Sequence, residues 1–236
     1  SVKRGVSNEQ VCVLIGIATK TKHEDIDKLL LLSENDMLSN KLFDSQSHRN
    51  QSIQAIIKAY NEKNPREEEH TKRVSDISEK FGIKLGMNSD DINKLKAISH
   101  LHDIGKISID EGILNKPDKL TDEEWEKIKK HPEIGARIIS SSSEYVVIAD
   151  DILAHHERFD GKGYPKGISG KNIPLRARII SIVDSYDAII SDRPYRKAMT
   201  HQEAIDEIIK CSGTQFDPEL VEVFISLFES KVIDNS

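Results

Sequence analysis

From residue 64 onward this chain signals the start of one helix after another and almost nothing else. Asn64-Pro65 with Glu67 three residues after the cap is a helix N-terminus, and His70, Val74, Ile77 and Phe81 then recur on one stripe. Gly82 and Gly86 suit its far end. A second helix is expected from about residue 89 to 103, with Leu95, Ile98 and His102 on one face. Thr121-x-x-Glu124 and Thr200-x-x-Glu203 read as capping boxes. His131-Pro132 reads as a start that leaves the imidazole in the non-helical cap. Residues 174–190 form a further helix, on which Asp184 and Asp187 share a face. Asp217-Pro218-Glu219 opens the last one. Only residues 11–18 read convincingly as a strand, and residues 26–60 are mostly helical with a polar break near 45–50. The expected fold is therefore all-α, a helical bundle with a small N-terminal α/β remnant.

The 236 residues suffice for one large domain, and two cysteines, Cys12 and Cys211, give no disulfide framework, which suits a cytoplasmic location. No run approaches the roughly 18 apolar residues of a membrane span. The chain starts at Ser1 without methionine or signal peptide, as expected of a piece cut from a longer protein. A formal charge of -6 disfavours nonspecific grip on DNA or RNA, but not binding of a small anion at a metal centre.

The chemistry lies in the histidines, nine in all. His23 and His48 lie in polar segments, His201 lies inside a capping sequence, and His100 points away from His102. Of the other five, His102 and His131 stand at helix ends, His155 and His156 are adjacent, and His70 heads an apolar stripe, with Asp103 and Asp184 as carboxylates in suitable places. Imidazoles and carboxylates in such positions point to bound metal. Glu157 and Asp187 are carboxylates that either orient ligand imidazoles or stand as ordinary helix-face charges. Asp160 either bonds a ligand histidine or starts the turn of the glycine-rich loop, Asp160-Gly161-x-Gly163-Tyr164-Pro165.

Read in order, the motifs are His70-Thr-x-Arg73-Val, His102-Asp103-Ile-Gly-Lys106-Ile, His131-Pro-x-x-Gly135 and His155-His156-Glu157 with the loop just given. Val183-Asp184-x-Tyr-Asp187-Ala and Arg193-Pro-Tyr-Arg196 follow. This series resembles the HD-GYP domain, a metal-dependent phosphodiesterase branch of the HD hydrolase superfamily, over about residues 51–228. The resemblance implies seven metal ligands. His70, His102 and Asp184 would take one ion, His131, His155 and His156 the other, and Asp103 would bridge them. It also implies Asp103 and Lys106 as catalytic residues, and Lys106, Tyr164, Asp187, Arg193 and Arg196 around the substrate.

Without cysteine among the ligands, two divalent ions such as iron or manganese are expected. Some members carry a glutamate four residues before the first histidine, associated with a third metal. Arg66 stands there in this chain, with Glu67 next to it, so two ions are expected rather than three. The implied activity is hydrolysis of a cyclic dinucleotide, first of all cyclic di-GMP, to pGpG, with a second hydrolysis to GMP left open. An HD-type nucleotidase and a nucleotide-binding sensor without turnover are the alternatives.

Residues 1–44 resemble the tail of a GGDEF domain without its signature loop. Residues 45–62 are then a connector, and residues 63–236 the HD-GYP domain. The connector region serves either a homodimer or an intramolecular brace.

Overall fold

The structure is a computed structural model and describes residues 55, 56, 58, 65–192 and 197–229. The strand expected at residues 11–18, the GGDEF-like segment, nearly all of the connector, and Arg193 and Arg196 lie outside the described residues.

Within them the architecture is helical, with no strand and only an isolated bridge pairing Ser212 with Phe216. Helix α1 (Pro65–Lys84) buries His70, Val74, Ser78 and Phe81, with Ile77 half-buried beside them. Gly86, with φ +70, turns the chain into α2 (Ser89–Leu101), where Asn88 caps by accepting from Asp91 N at 2.9 Å. A short 3₁₀ turn (Ile104–Ser108) follows, then α3 (Glu111–Leu114), α4 (Asp122–Ile128), α5 (His131–Ile139) and α6 (Ala149–Ala154). Both capping boxes form, at Thr121 with Glu124 and at Thr200 with Glu203.

Helix α7 (Leu175–Ile190) is the centre. Ala177, Ile179, Ile180, Ile182, Val183, Tyr186 and Asp187 are buried nearly all round it, the pattern of a helix enclosed by others. It packs against α1, α2, α6, α8 (His201–Lys210) and α9 (Pro218–Glu229). An aromatic group of Phe81, Tyr186, Phe224 and Phe228, with ring centroids 5.3–5.5 Å apart, closes the core at one end. His201 belongs to that packing: its Nδ1 lies 2.8 Å from the Tyr186 hydroxyl.

One boundary differs from expectation. His131 is the first helical residue of α5, and Lys130 is the cap. Proline fits either of the first two helical positions, so His131-Pro132 alone does not fix which residue begins the helix.

Candidate metal centre

Helix ends bring the chemistry together. His102 is the C-cap of α2, Asp103 leads into the 3₁₀ turn, His131 begins α5, and His155 and His156 follow α6. His70 comes from α1 and Asp184 from α7. One ligand atom from each of Asp103, His131, His155 and His156 lies within 4.8 Å of the others, and the same holds for His70, His102 and Asp184. Asp103 turns Oδ1 to His131 Nε2 at 3.1 Å and Oδ2 toward His102 Nε2 at 3.4 Å. One carboxylate thus offers an oxygen to each group.

The hydrogen bonds test whether these residues suit metal ions. Nδ1 of His102, His131 and His155 lies 2.9, 2.8 and 2.6 Å from the carbonyl oxygens of Ser99, Ile128 and Ile152. A carbonyl only accepts, so each Nδ1 carries the proton and each Nε2 lone pair points inward. His131 and His155 present Nε2 to each other at 3.2 Å. His102 Nε2 and Asp103 Oδ1 are buried without a hydrogen-bond partner. Lone pairs facing one another or a carboxylate in a buried site require a proton or a metal ion between them. The donor set of imidazole nitrogens and carboxylate oxygens fits divalent first-row ions.

Charge is arranged to match. Burial works against ionised Asp184, yet the His70 hydrogen bond and the charge of His102 hold its carboxyl well below the usual range. Burial likewise opposes ionised Asp103, and Lys106 and His102 outweigh it. His70 goes up to about 10, because Asp184 and Asp187 overcome its burial. His156 goes down to about 3 through burial and the neighbouring His131, and His155 falls for the same kind of reason. His155 and His156 are therefore neutral beside ionised carboxylates, the state that binds metal, whereas His70 and His102 are raised by their carboxylate neighbours and give up a proton when an ion binds.

Asp187 corrects an expectation. It is fully buried, accepts from His70 Nδ1 at 2.7 Å, and is held by Arg73 Nε at 2.6 Å and Nη2 at 2.9 Å. A carboxylate enclosed behind His70 has no surface for substrate, so its expected place among substrate-binding residues fails. It positions His70 instead. Asp187→Asn is expected to weaken metal affinity by roughly 10–100-fold. Metal titration followed by calorimetry checks this; unchanged affinity would remove Asp187 from any orienting role.

Glu157 differs too. It orients no imidazole: Oε1 accepts from Lys166 N at 2.6 Å and Gly167 N at 3.1 Å, fastening the loop that follows the histidine pair. Asp160 takes the turn role, accepting from Lys162 N at 3.0 Å and pairing with Arg158. Lys106 Nζ sits 2.5 Å from Asp103 Oδ2 and 3.9 Å from Glu67 Oε1. Glu67, His70 and Asp103 form a further close group, and Glu67 Oε2 is buried without a hydrogen-bond partner.

Tyr164 stands over His156, ring centroids 5.0 Å apart. Two cavities of about 530 and 490 Å³ meet at His156, Tyr164 and Asp184, each within the roughly 300–1,000 Å³ range of small-molecule sites. Sequence reading gave no role to Arg73 or Trp125. Arg73 could have been found from its spacing three residues after His70, and Trp125 as the only tryptophan.

The chain is 41% identical over 167 residues to a cyclic di-GMP phosphodiesterase of Thermotoga maritima, covering 70% of this chain and 45% of that protein. It is 36% identical over 158 residues to the 3'3'-cGAMP-specific phosphodiesterase 2 of Vibrio cholerae, covering 66% of this chain and 30% of that protein. The chain thus spans less than half the length of these relatives. The HD domain of the L. monocytogenes phosphodiesterase PgpH, solved with cyclic-di-AMP, shares the fold with a TM-score of 0.56 and 21% identity, over 76% of this chain and 96% of that one. A family model described as HD domain matches residues 54–220, a stretch that holds both ligand groups and the His102-Asp103 pair joining them. The chain belongs to the HD domain family.

Proposed function

We propose that this chain is a metal-dependent phosphodiesterase of the HD-GYP type that hydrolyses a cyclic dinucleotide, first of all cyclic di-GMP, to pGpG and onward to GMP. The observation that carries this reading is Asp103, a buried carboxylate presenting one oxygen to each of two groups of ligand atoms. His70, His102 and Asp184 would hold one ion and His131, His155 and His156 the other, with Asp103 common to both. Bound ions of this kind supply Lewis-acid activation of water and neutralise phosphoryl oxygens. Iron or manganese suits the donors best.

The chain's own residues do the rest. Asp187 and the three backbone carbonyls fix the imidazole rings, so the ligand atoms are set before any ligand arrives. Lys106, at the rim of the larger cavity beside Asp103, carries a cation that can pass from Asp103 to a phosphate oxygen. Tyr164 walls the site and shields His156. Arg193 and Arg196 are assigned to the substrate from the motif alone. Glu67 offers a carboxylate oxygen to a third ion, but two ions remain the assignment because Glu67 also serves the positive end of α1.

Residues 1–44 are read as the tail of a GGDEF-like domain, residues 45–62 as a connector and residues 63–236 as the catalytic domain. Incubating iron- or manganese-loaded protein with cyclic di-GMP, followed by chromatography, should yield pGpG and GMP. Unchanged substrate under both metals, with elemental analysis showing the ions bound, would sink the reading.

A further inference from the structure

Of the two cavities beside the ligand groups, the larger already has occupants under the reading above: it holds Asp103, Lys106 and His131. The smaller runs outward from His156, Tyr164 and Asp184 past Trp125, which borders both cavities, to Lys129, Arg158 and Lys162. None of these last four has a part in holding metal, and their chemistry differs from the core's. Trp125 is 44% exposed on α4, a helix that buries none of its residues, so packing does not account for a large aromatic there. Its ring stands 6.2 Å from Tyr164, which in turn lies 5.0 Å from His156. An aromatic wall therefore leads from a candidate metal ligand out to solvent. Along its far side stand three cations. Arg158 is held by Asp160 and Gln215, and Lys129 pairs with Glu126. The Lys162 ammonium makes no hydrogen bond or ion pair among the described residues, although its charge reaches Asp160.

A flat exposed ring and a cation with no ion pair lining one cavity are the combination that holds a nucleobase and its phosphate: stacking needs a π face, and the phosphate needs a cation. A cyclic dinucleotide has two bases and two phosphates, whereas the metal centre can act on one phosphate at a time. We propose that the smaller cavity is the subsite for the half of the cyclic dinucleotide that is not being cleaved, with Trp125 stacking its base and Lys162 facing its phosphate. This rests on the cyclic-dinucleotide reading and adds residues outside the metal centre that set affinity for that substrate class.

Trp125 is the only tryptophan, so its emission reports on the subsite directly. A slowly hydrolysed phosphorothioate analogue of cyclic di-GMP, titrated into the metal-loaded full chain, should quench that emission to saturation. Dimethyl phosphate, which reaches only the metal centre, should not. In turnover of cyclic di-GMP, Trp125→Ala should raise KM about tenfold, matching the loss of one stacked base. Trp125→Phe should recover most of it, and Lys162→Ala should raise KM by less while flattening its dependence on ionic strength. Saturable binding of the analogue by calorimetry with unchanged emission, or wild-type KM in Trp125→Ala, would overturn the subsite and leave the activity standing. Absence of both binding and turnover of any cyclic dinucleotide by metal-loaded protein would overturn the substrate reading and the subsite together.

Discussion

Asp103→Asn is expected to reduce hydrolysis of cyclic di-GMP by more than about 10³-fold, the top of the range for losing one electrostatic partner at a reaction centre, because this residue serves two ions at once. Asparagine keeps the size and one carbonyl oxygen but exchanges the second oxygen for an amide NH₂. That group cannot ligate, and it can donate to the inward lone pair of His131 or His102. The metal-free protein should therefore lose little stability even though the ion pair between Lys106 and Asp103 is lost. What should shrink is the stabilisation on adding metal, which is about 2.7 kcal/mol for each ion supplied at 100 times its Kd. Elemental analysis should find no more than one ion per chain. Two tightly held ions in this variant, or turnover within tenfold of wild type, would show that Asp103 does not join the two groups.

The site was legible in sequence where local rules place a residue. His70 heads the buried stripe of α1, and His102 and His131 stand at helix ends, so their places followed from periodicity and from start and stop signals. Their convergence did not follow. Nothing local says that His131 and His155, 24 positions apart, bring Nε2 atoms within 3.2 Å, or that backbone carbonyls three residues back set their tautomers. Asp187 and Glu157 show the limit most clearly. Both are carboxylates close to ligands in sequence, yet the α7 face that carries Asp184 also aims Asp187 at α1, whereas Glu157 turns away toward the backbone at Lys166 and Gly167. Trp125 lies in a helix whose capping box was readable, but its exposure depends on what α4 packs against.

The other large effect is expected at a residue that supplies no ligand atom. A Cβ on Gly105 would lie 2.0 Å from the carbonyl oxygen of His131 and 2.7 Å from the amide nitrogen of Gly135. These are backbone atoms and have no rotamer to change, so the 3₁₀ turn and α5 must separate by about 1 Å or more to restore van der Waals distance. Asp103 is tied to one side of that contact and His131 to the other, so the 3.1 Å approach between them opens as well. Gly105→Ala should cost about 3 kcal/mol, which for a domain of this size lowers the midpoint by roughly 6–12 °C. In the molecules that remain folded, a displacement of about 1 Å should still lower turnover by about 10²-fold. Gly86→Ala separates these effects. Gly86 has open space around it and only its φ of +70 to strain, so alanine there should cost about 1 kcal/mol and leave turnover unchanged. Thermal melts and kcat on both variants decide the matter: equal losses of activity would mean that close backbone packing at Gly105 does not hold His131 against Asp103.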